Sequence, residues 1–425
     1  MKDIPQAENL WRARGLIFIG TLLYFFINVQ RVAIPGSIFN ELQSQLRVGA
    51  PAITGLGSSF MYVYAVTQLF IGMLVDRYGG NRIIPFGALL FCVGSLLFPL
   101  AHTLPMLYFA RVLTGLGAGS LYLCLIKETM RAFKENYAVV VSVVIMIGFV
   151  GGIMANAPFV AISERVVGGF RSVLLVIGLA TFFVYLLFVG LRATVKQPPI
   201  RRHIPVDIRR FGLVLGSKQN LYIYAFSSIN FGMYYALQTV IGKKFLQDYC
   251  SMESQQAALV LSSMGAIAAL SGFAFALMSK ALGDRRRPFC RFAGTVNVLV
   301  FLSLATLTCL DVRSKTIAAL LCFLSLVGSL SSIVIPVLNE TNPESRTGLS
   351  ISFMNFCFYL CVAVFGNLVG YLMSLFPPKS VEGVMVYSQQ SYLAVFSVLF
   401  VFSLIVFVCS MKVPETYGRK VKESV

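Results

Sequence analysis

GMLVDRYGGNR, Gly72 to Arg82, is a charged, glycine-bearing break between two apolar runs, 50–75 upstream and 82–101 downstream. Each run has the roughly 20 residues that a helix needs to cross the ~30 Å hydrocarbon core of a bilayer. A break so short and so polar is a turn between two spans, and the rest of the chain extends the pattern. The 425 residues are 57% hydrophobic, 13% aromatic and only 12% charged, with a mean hydropathy of +0.79. A soluble surface does not carry that composition, so the chain reads as a polytopic membrane protein in contact with lipid. Spanning backbone must satisfy its own hydrogen bonds, and runs of this length fit helices rather than barrel strands.

Outward from that turn, apolar runs bounded by charge, Pro or Gly fall at 14–38, 50–75, 82–101, 104–126, 137–162 and 170–192. A second set follows at 220–242, 256–279, 288–310, 315–338, 348–376 and 388–411. The expected fold class is an all-α membrane protein of twelve transmembrane helices in two six-helix pseudo-symmetric halves, 1–192 and 220–425. The polar stretch 193–219 between them, with Pro198, Pro199 and Pro205 opposing helix, reads as a cytoplasmic linker. SKALGDRRRP, Ser279 to Pro288, occupies the place in the second set that Gly72 to Arg82 occupies in the first. The halves therefore read as a parallel duplication.

The formal charge of +18 raises nucleic acid as a partner, but the 35 Lys and Arg sit in short clusters between spans instead of forming a basic domain. They report topology. Lys2, Arg12, Arg14, Arg77, Arg82, Lys127, Arg131 and Lys134, the seven at 192–218 in and beside the linker, the five at 280–291 around the turn between helices 8 and 9, Arg346 and the four at the C-terminus share one side. Arg47, Arg165, Arg171, Lys243, Lys244, Arg313, Lys315 and Lys379 are the fewer on the other. The bias puts both termini in the cytoplasm, in a protein expected in a bacterial inner membrane. The nine cysteines fall mostly inside apolar runs, without the spacing of a metal site or a disulfide framework, and read as small core residues. The polar start MKDIPQAENLWRAR precedes a run too long for a signal-peptide core, so no cleaved signal is expected.

GMLVDRYGGNR closely resembles the loop 2–3 signature of the major facilitator superfamily, G-x-L-x-D-R-x-G-x-[RK]-[RK], and the resemblance extends over the twelve-helix, two-repeat plan. It implies the major facilitator fold and a gating role for Gly72, Asp76, Arg77 and Arg82, with Asp284 and Arg285 in the second copy. Gly72 would allow close helix approach, and Asp76 at a helix end could accept from Arg77, Arg82 or a helix N-terminus. The second copy has Lys280 where glycine would stand, and a weaker latch is expected there. RVLTGLGAGS, with Arg111, Gly115, Gly117 and Gly119, resembles the R-x-x-x-G-x-G pattern of helix 4 in the same superfamily. GFVGGIMANAP on helix 5 departs from the antiporter signature at Asn156-Ala157-Pro158, which lowers the drug-efflux reading.

Two cations lie inside spans: Arg31 in FFINVQRVAIPG, and Arg111. Helix 1 enters from the cytoplasm and helix 4 from outside, which sets the two at a similar depth, each costing about 2.5–3.5 kcal/mol at mid-membrane on insertion scales. No Asp or Glu falls in the interior of a predicted span. An aqueous cavity holding an anion accounts for both, against the alternative that Arg31 snorkels to the interface. Tyr24, Asn28 and Arg31 share one helical face, as do Asn230, Tyr234 and Gln238 on helix 7. In the resembled fold helices 1, 4, 7 and 10 line the central path. Helix 1 is also similar to that of the anion:cation symporters and organophosphate antiporters, which use an arginine there for carboxylate or phosphate. Gln30 and Ala118 stand where the symporters have acids. A weaker similarity, around Arg31 and Pro35 and in GKKFLQDY, points to phagosomal nutrient transporters.

The expectation is secondary active or facilitative transport of a small organic anion (a carboxylate, phosphate ester or amino acid) by alternating access. Arg31 and Arg111 would supply charge, and Tyr24, Asn28, Asn230, Tyr234 and Gln238 would orient the ligand. Protons or a counter-anion are the candidate coupling partners; neither His102 nor His203 lies in a span. No catalytic motif, cofactor or metal site is read, nucleic acid is not a partner, and a monomer is expected. Two rivals stand beside this reading. Efflux of apolar or cationic compounds calls for an intramembrane carboxylate, and a non-transporting sensor or receptor leaves the Asp76 motif without a purpose.

Overall fold

Proline, glycine and buried polar groups decide where the apolar runs stop being helix. The computed structural model describes residues 7–133, 137–195, 212, 215, 217–381 and 384–420. Most of the expected linker 193–219, with its three prolines, therefore lies outside the described residues, as do Lys2, Lys134 and His203. The chain divides into two compact units, the first of residues 1–33 and 62–206, the second of 34–61 and 207–425.

Helix α1 (Ala7–Ala33) stops short of the expected 38. Pro35 has no N–H to continue the ladder and biases the residue before it away from helix. A 3-10 turn (Gly36–Ile38) and the short α2 (Phe39–Leu46) follow, and α3 (Ala50–Tyr78) runs from the second unit into the first. The first unit continues with α4 (Gly80–Leu100), α5 (Leu104–Phe133), α6 (Tyr137–Met154), α7 (Ala157–Arg165) and α8 (Gly169–Ala193). Its tightest seam joins α4 to α5, where a Cβ on Gly94 would stand 2.6 Å from the Ala110 carbonyl oxygen and one on Gly117 2.5 Å from the Phe91 nitrogen. Small residues let the two backbones meet where lipid supplies no hydrophobic drive between helices. Phe18, Phe86, Val176 and Phe183 are exposed and form the apolar exterior expected of a lipid-facing surface.

The second unit holds α9 (Lys218–Ala236), a π-helical turn (Leu237–Ile241), α10 (Gly242–Asp248), α11 (Ser254–Ala281) and α12 (Arg287–Cys309). Then come α13 (Ala318–Ser325), α14 (Ser331–Thr341), α15 (Glu344–Ser374) and α16 (Gln389–Lys412). A small antiparallel hairpin, β1 (Lys379–Val381) and β2 (Val384–Val386), pairs Lys379 with Val386 ahead of α16. Among the described residues nine helices are individually long and apolar enough to cross a membrane, and α6 with α7, bent by 43°, makes a tenth. The expected spans 220–242 and 315–338 do not qualify as single apolar helices. The first carries Asn220, Tyr222, Tyr224, Ser227, Ser228 and Asn230 and passes into the π turn; the second is broken between Ser325 and Ser331.

Candidate functional site

In the first unit α1 packs on α5, α6 and α8 and carries the helix 1 candidates inward. Arg31 is 7% exposed and Arg111 only 1%. Both arginines are thus largely buried within the protein. The Tyr24 ring stacks on Tyr122 of α5 with centroids 5.4 Å apart, and Gly148 of α6 makes room for it. Asn28 is buried and spends its amide on its own helix, Nδ2 donating to the Tyr24 carbonyl at 2.7 Å. Gln30, where a carboxylate stands in the resembled symporters, donates to Ser95 Oγ of α4. It is a neutral helix-to-helix tie there. Gln68 of α3 donates to the Gly119 carbonyl at 2.9 Å, so the glycine row of α5 contacts α3 as well as α4.

In the second unit two of the three helix 7 candidates tie helices together. Asn230 Nδ2 donates to the Val327 carbonyl at 2.8 Å, while its Oδ1 accepts from Asn297 Nδ2 at 2.7 Å. Val327 lies in the break between α13 and α14, where the helical ladder leaves carbonyls open, and Asn230 closes one of them. Tyr234 donates its hydroxyl to the Met264 carbonyl at 3.1 Å and covers Gly328 with its ring. Gln238 differs. It lies in the π turn, 5% exposed, and its side chain makes no hydrogen bond among the described residues. Such turns recur at functional sites because the displaced backbone re-aims side chains.

The charged turns are wired differently from expectation. Asp76 forms an ion pair with Lys127 of α5, not with Arg77 or Arg82. Arg77 stacks on Tyr78, 5.3 Å from the ring centroid, and Arg82 donates to the Tyr78 carbonyl at 3.2 Å. Gly72 is half-buried within α3. The neighbouring acid Glu128 caps α4: its Oε1 accepts the Gly80 N–H at 2.7 Å, and its Oε2 accepts Asn81 Nδ2 at 3.2 Å. A carboxylate there meets the open N–H groups and the positive end of the helix dipole.

The second copy carries the larger cluster of ion pairs among the described residues. Its cation is Arg286, whose Nη2 lies 3.1 Å from Asp284 Oδ1 and 3.2 Å from Glu340 Oε1. Arg285 instead contributes its carbonyl, accepting Ser279 Oγ at 2.7 Å. Glu415 caps α12 as Glu128 caps α4, accepting the N–H groups of Arg286 at 2.7 Å and Arg287 at 3.2 Å. Thr416 donates to Glu340.

Sequence reasoning missed Glu128, Glu340 and a third buried acid, Asp248, because each lies just beyond a predicted span end. Asp248 Oδ1 pairs with the fully buried Lys244 at 2.9 Å, and its Oδ2 accepts the Tyr387 N–H at 3.0 Å and the Tyr392 hydroxyl at 2.9 Å. Burial pushes the Lys244 ammonium down from its ordinary value, and Asp248 pulls it part of the way back. Lys243 donates to the Ser37 carbonyl at 2.7 Å and lies 3.7 Å from Glu41. The signal was in GKKFLQDY: Lys244 and Asp248 are four apart, on one helical face.

The family model described as Major Facilitator Superfamily matches residues 16–366. The riboflavin transporter RibZ of Clostridioides difficile is 28% identical over 119 residues, 27% of this chain and 26% of that protein. The probable anion transporter 4, chloroplastic, of Oryza sativa subsp. japonica is 38% identical over 117 residues, 27% of this chain and 19% of that protein. The matched stretch thus spans about a quarter or less of these curated relatives. A bacterial homolog to the human lysosomal transporter Spinster, solved in an inward-facing and unoccupied conformation, superposes with a TM-score of 0.72. It covers 94% of this chain and 97% of its own at 15% identity, a likeness of fold.

Proposed function

The chain belongs to the major facilitator superfamily, and from that premise we propose that it is a secondary transporter of a small organic anion, working by alternating access. The observation that carries the reading is the pair of arginines in the first unit, Arg31 on α1 and Arg111 on α5, 7% and 1% exposed inside a membrane domain. Guanidinium groups held at such depth favour carboxylate or phosphate, which they bind in a planar, bidentate fashion. Tyr24 and Asn28 shape the same face of α1. In the second unit Gln238 is the side chain we assign to the ligand, with Asn230 and Tyr234 supporting its helix from behind. The clusters around Asp76 and Asp284 are the cytoplasmic gates. We place the protein as a monomer in a bacterial inner membrane with both termini cytoplasmic. The names of the relatives cover more than one substrate class, so the anion rests on the arginines.

The test is counterflow in proteoliposomes with labelled dicarboxylates, phosphate esters and amino acids. At least one anion is expected to exchange, and Arg31→Ala is expected to abolish that exchange while the protein stays inserted and monodisperse. Full exchange by Arg31→Ala would remove the arginine from the site.

A further inference from the structure

Lys243 and Lys244 are adjacent, 2% and 0% exposed, yet their partners belong to different parts of the second unit. Lys244 is held by Asp248 on its own helix and by the Met385 carbonyl of the hairpin at 2.6 Å. Lys243 is held by the Ser37 carbonyl and faces Glu41, both in the stretch formed by the 3-10 turn and α2. That stretch belongs to segment 34–61, which is covalently continuous at both ends with the first unit. Its polar ties are Asn40 to Gln247 at 3.2 Å and Gln43 to the Tyr387 hydroxyl at 3.1 Å, Gly36 lies directly against the Thr239 backbone, and Ile38, Phe39 and Leu42 are fully buried. The docked form also leaves acceptors short of donors. Asn40 Oδ1, Glu41 Oε2 and Gln43 Oε1 are buried without a hydrogen-bond partner among the described residues. Undocking would hydrate them, which offsets part of the cost of exposing Ile38, Phe39 and Leu42.

We propose that Lys243 is an anion-binding residue of the outer face, its ammonium passing from Ser37 and Glu41 to the substrate anion when segment 34–46 lifts. The inference rests on the alternating-access reading above. Lifting leaves Lys244 with Asp248 and Met385 in place but strips Lys243 of both its partners, which opens its ammonium to water and to an anion arriving from outside. The substrate and Glu41 compete for one cation, so anion arriving outside opposes reclosure until it has moved inward.

The full-length protein in nanodiscs is treated with trinitrobenzenesulfonate, an anionic amine reagent, and modified lysines are mapped by peptide mass spectrometry. Lys243 is expected to react about tenfold faster than Lys244, reflecting local opening. Succinate or inorganic phosphate is expected to slow Lys243 about threefold relative to chloride at matched ionic strength, as a bound ligand protects. Gly36→Ala, which drives a Cβ to 2.5 Å from the Thr239 carbonyl oxygen, and Glu41→Gln, at a half-exposed side chain, should each raise Lys243 reactivity further. Equal reactivity of Lys243 and Lys244 in both variants would overturn the proposal, as would protection by succinate and phosphate no better than by chloride. Arg31→Ala is expected to leave the labelling unchanged, so failure of the Arg31 site and failure of this one are read separately.

Discussion

At the scale of single residues, the same kind of charge does different things according to its burial. Asp76 and Lys127 are 50% and 36% exposed on their side chains. Such a pair contributes about 0–1 kcal/mol, since solvent screens it and ordering two side chains costs entropy. Lys127→Ala is therefore expected to move the unfolding free energy by less than about 1 kcal/mol, and any larger effect should appear in the transport rate. Glu128 is one residue further on and buried, with its carboxylate accepting from two N–H groups of α4, the Asn81 amide and Arg131. Hydrogen bonds to a charged group are worth about 1.5–3 kcal/mol each, so Glu128→Gln should destabilise by about that amount. Denaturant titration in detergent distinguishes the two: equal, small effects would mean that the cap at α4 carries no more weight than the surface pair. Sequence spacing could show that Lys127 and Glu128 follow a span. It could not show that α5 stays helical to Phe133 and so turns one of them inward.

At the scale of elements, the spans that were legible are those in which length, hydropathy and punctuation agree, as in α3, α4, α5 and α8. The two that departed carry breaks made by tertiary contact. Leu237–Ile241 reads locally as continuing helix, yet it forms a π turn where Gly36 presses on Thr239. The break between α13 and α14 is filled by the ring of Tyr234 over Gly328 and closed by Asn230 on Val327. No period in either segment encodes a partner that lies in a distant part of the chain. These roles separate the two polar helix 7 residues by experiment. Asn230→Leu removes the donor from a buried carbonyl and should cost about 1–3 kcal/mol of stability along with transport. Gln238→Leu should leave the melting temperature in place and raise the apparent KM for the exchanged anion. A loss of stability in Gln238→Leu with KM unchanged would return that residue to helix packing.

For the whole molecule, the open question is what drives the cycle, and the acids decide the expectation. The sequence shows Gln30 and Ala118 where related symporters carry acids, and the structure adds Glu128, Glu340 and Asp248 as buried carboxylates. Each is already committed to donors. Glu128 caps α4, Glu340 is shared by Arg286 and Thr416, and Asp248 takes Lys244 together with the Tyr387 N–H and the Tyr392 hydroxyl. Burial raises the Asp248 carboxyl above its ordinary value while Lys244 and the Tyr387 and Tyr392 donors pull it part of the way back, and a proton delivered to any of these carboxylates breaks its set of bonds. We propose uniport or anion exchange, because the buried carboxylates are already occupied by structural partners. In liposomes loaded with a pH-sensitive dye, anion exchange is expected to proceed with no substrate-driven alkalinisation, at a rate that a proton ionophore leaves unchanged. A proton flux in step with the anion would assign coupling to one of the three acids. Glu128→Gln, Glu340→Gln and Asp248→Asn, assayed for flux and exchange together, would then identify it as the variant that exchanges without moving protons.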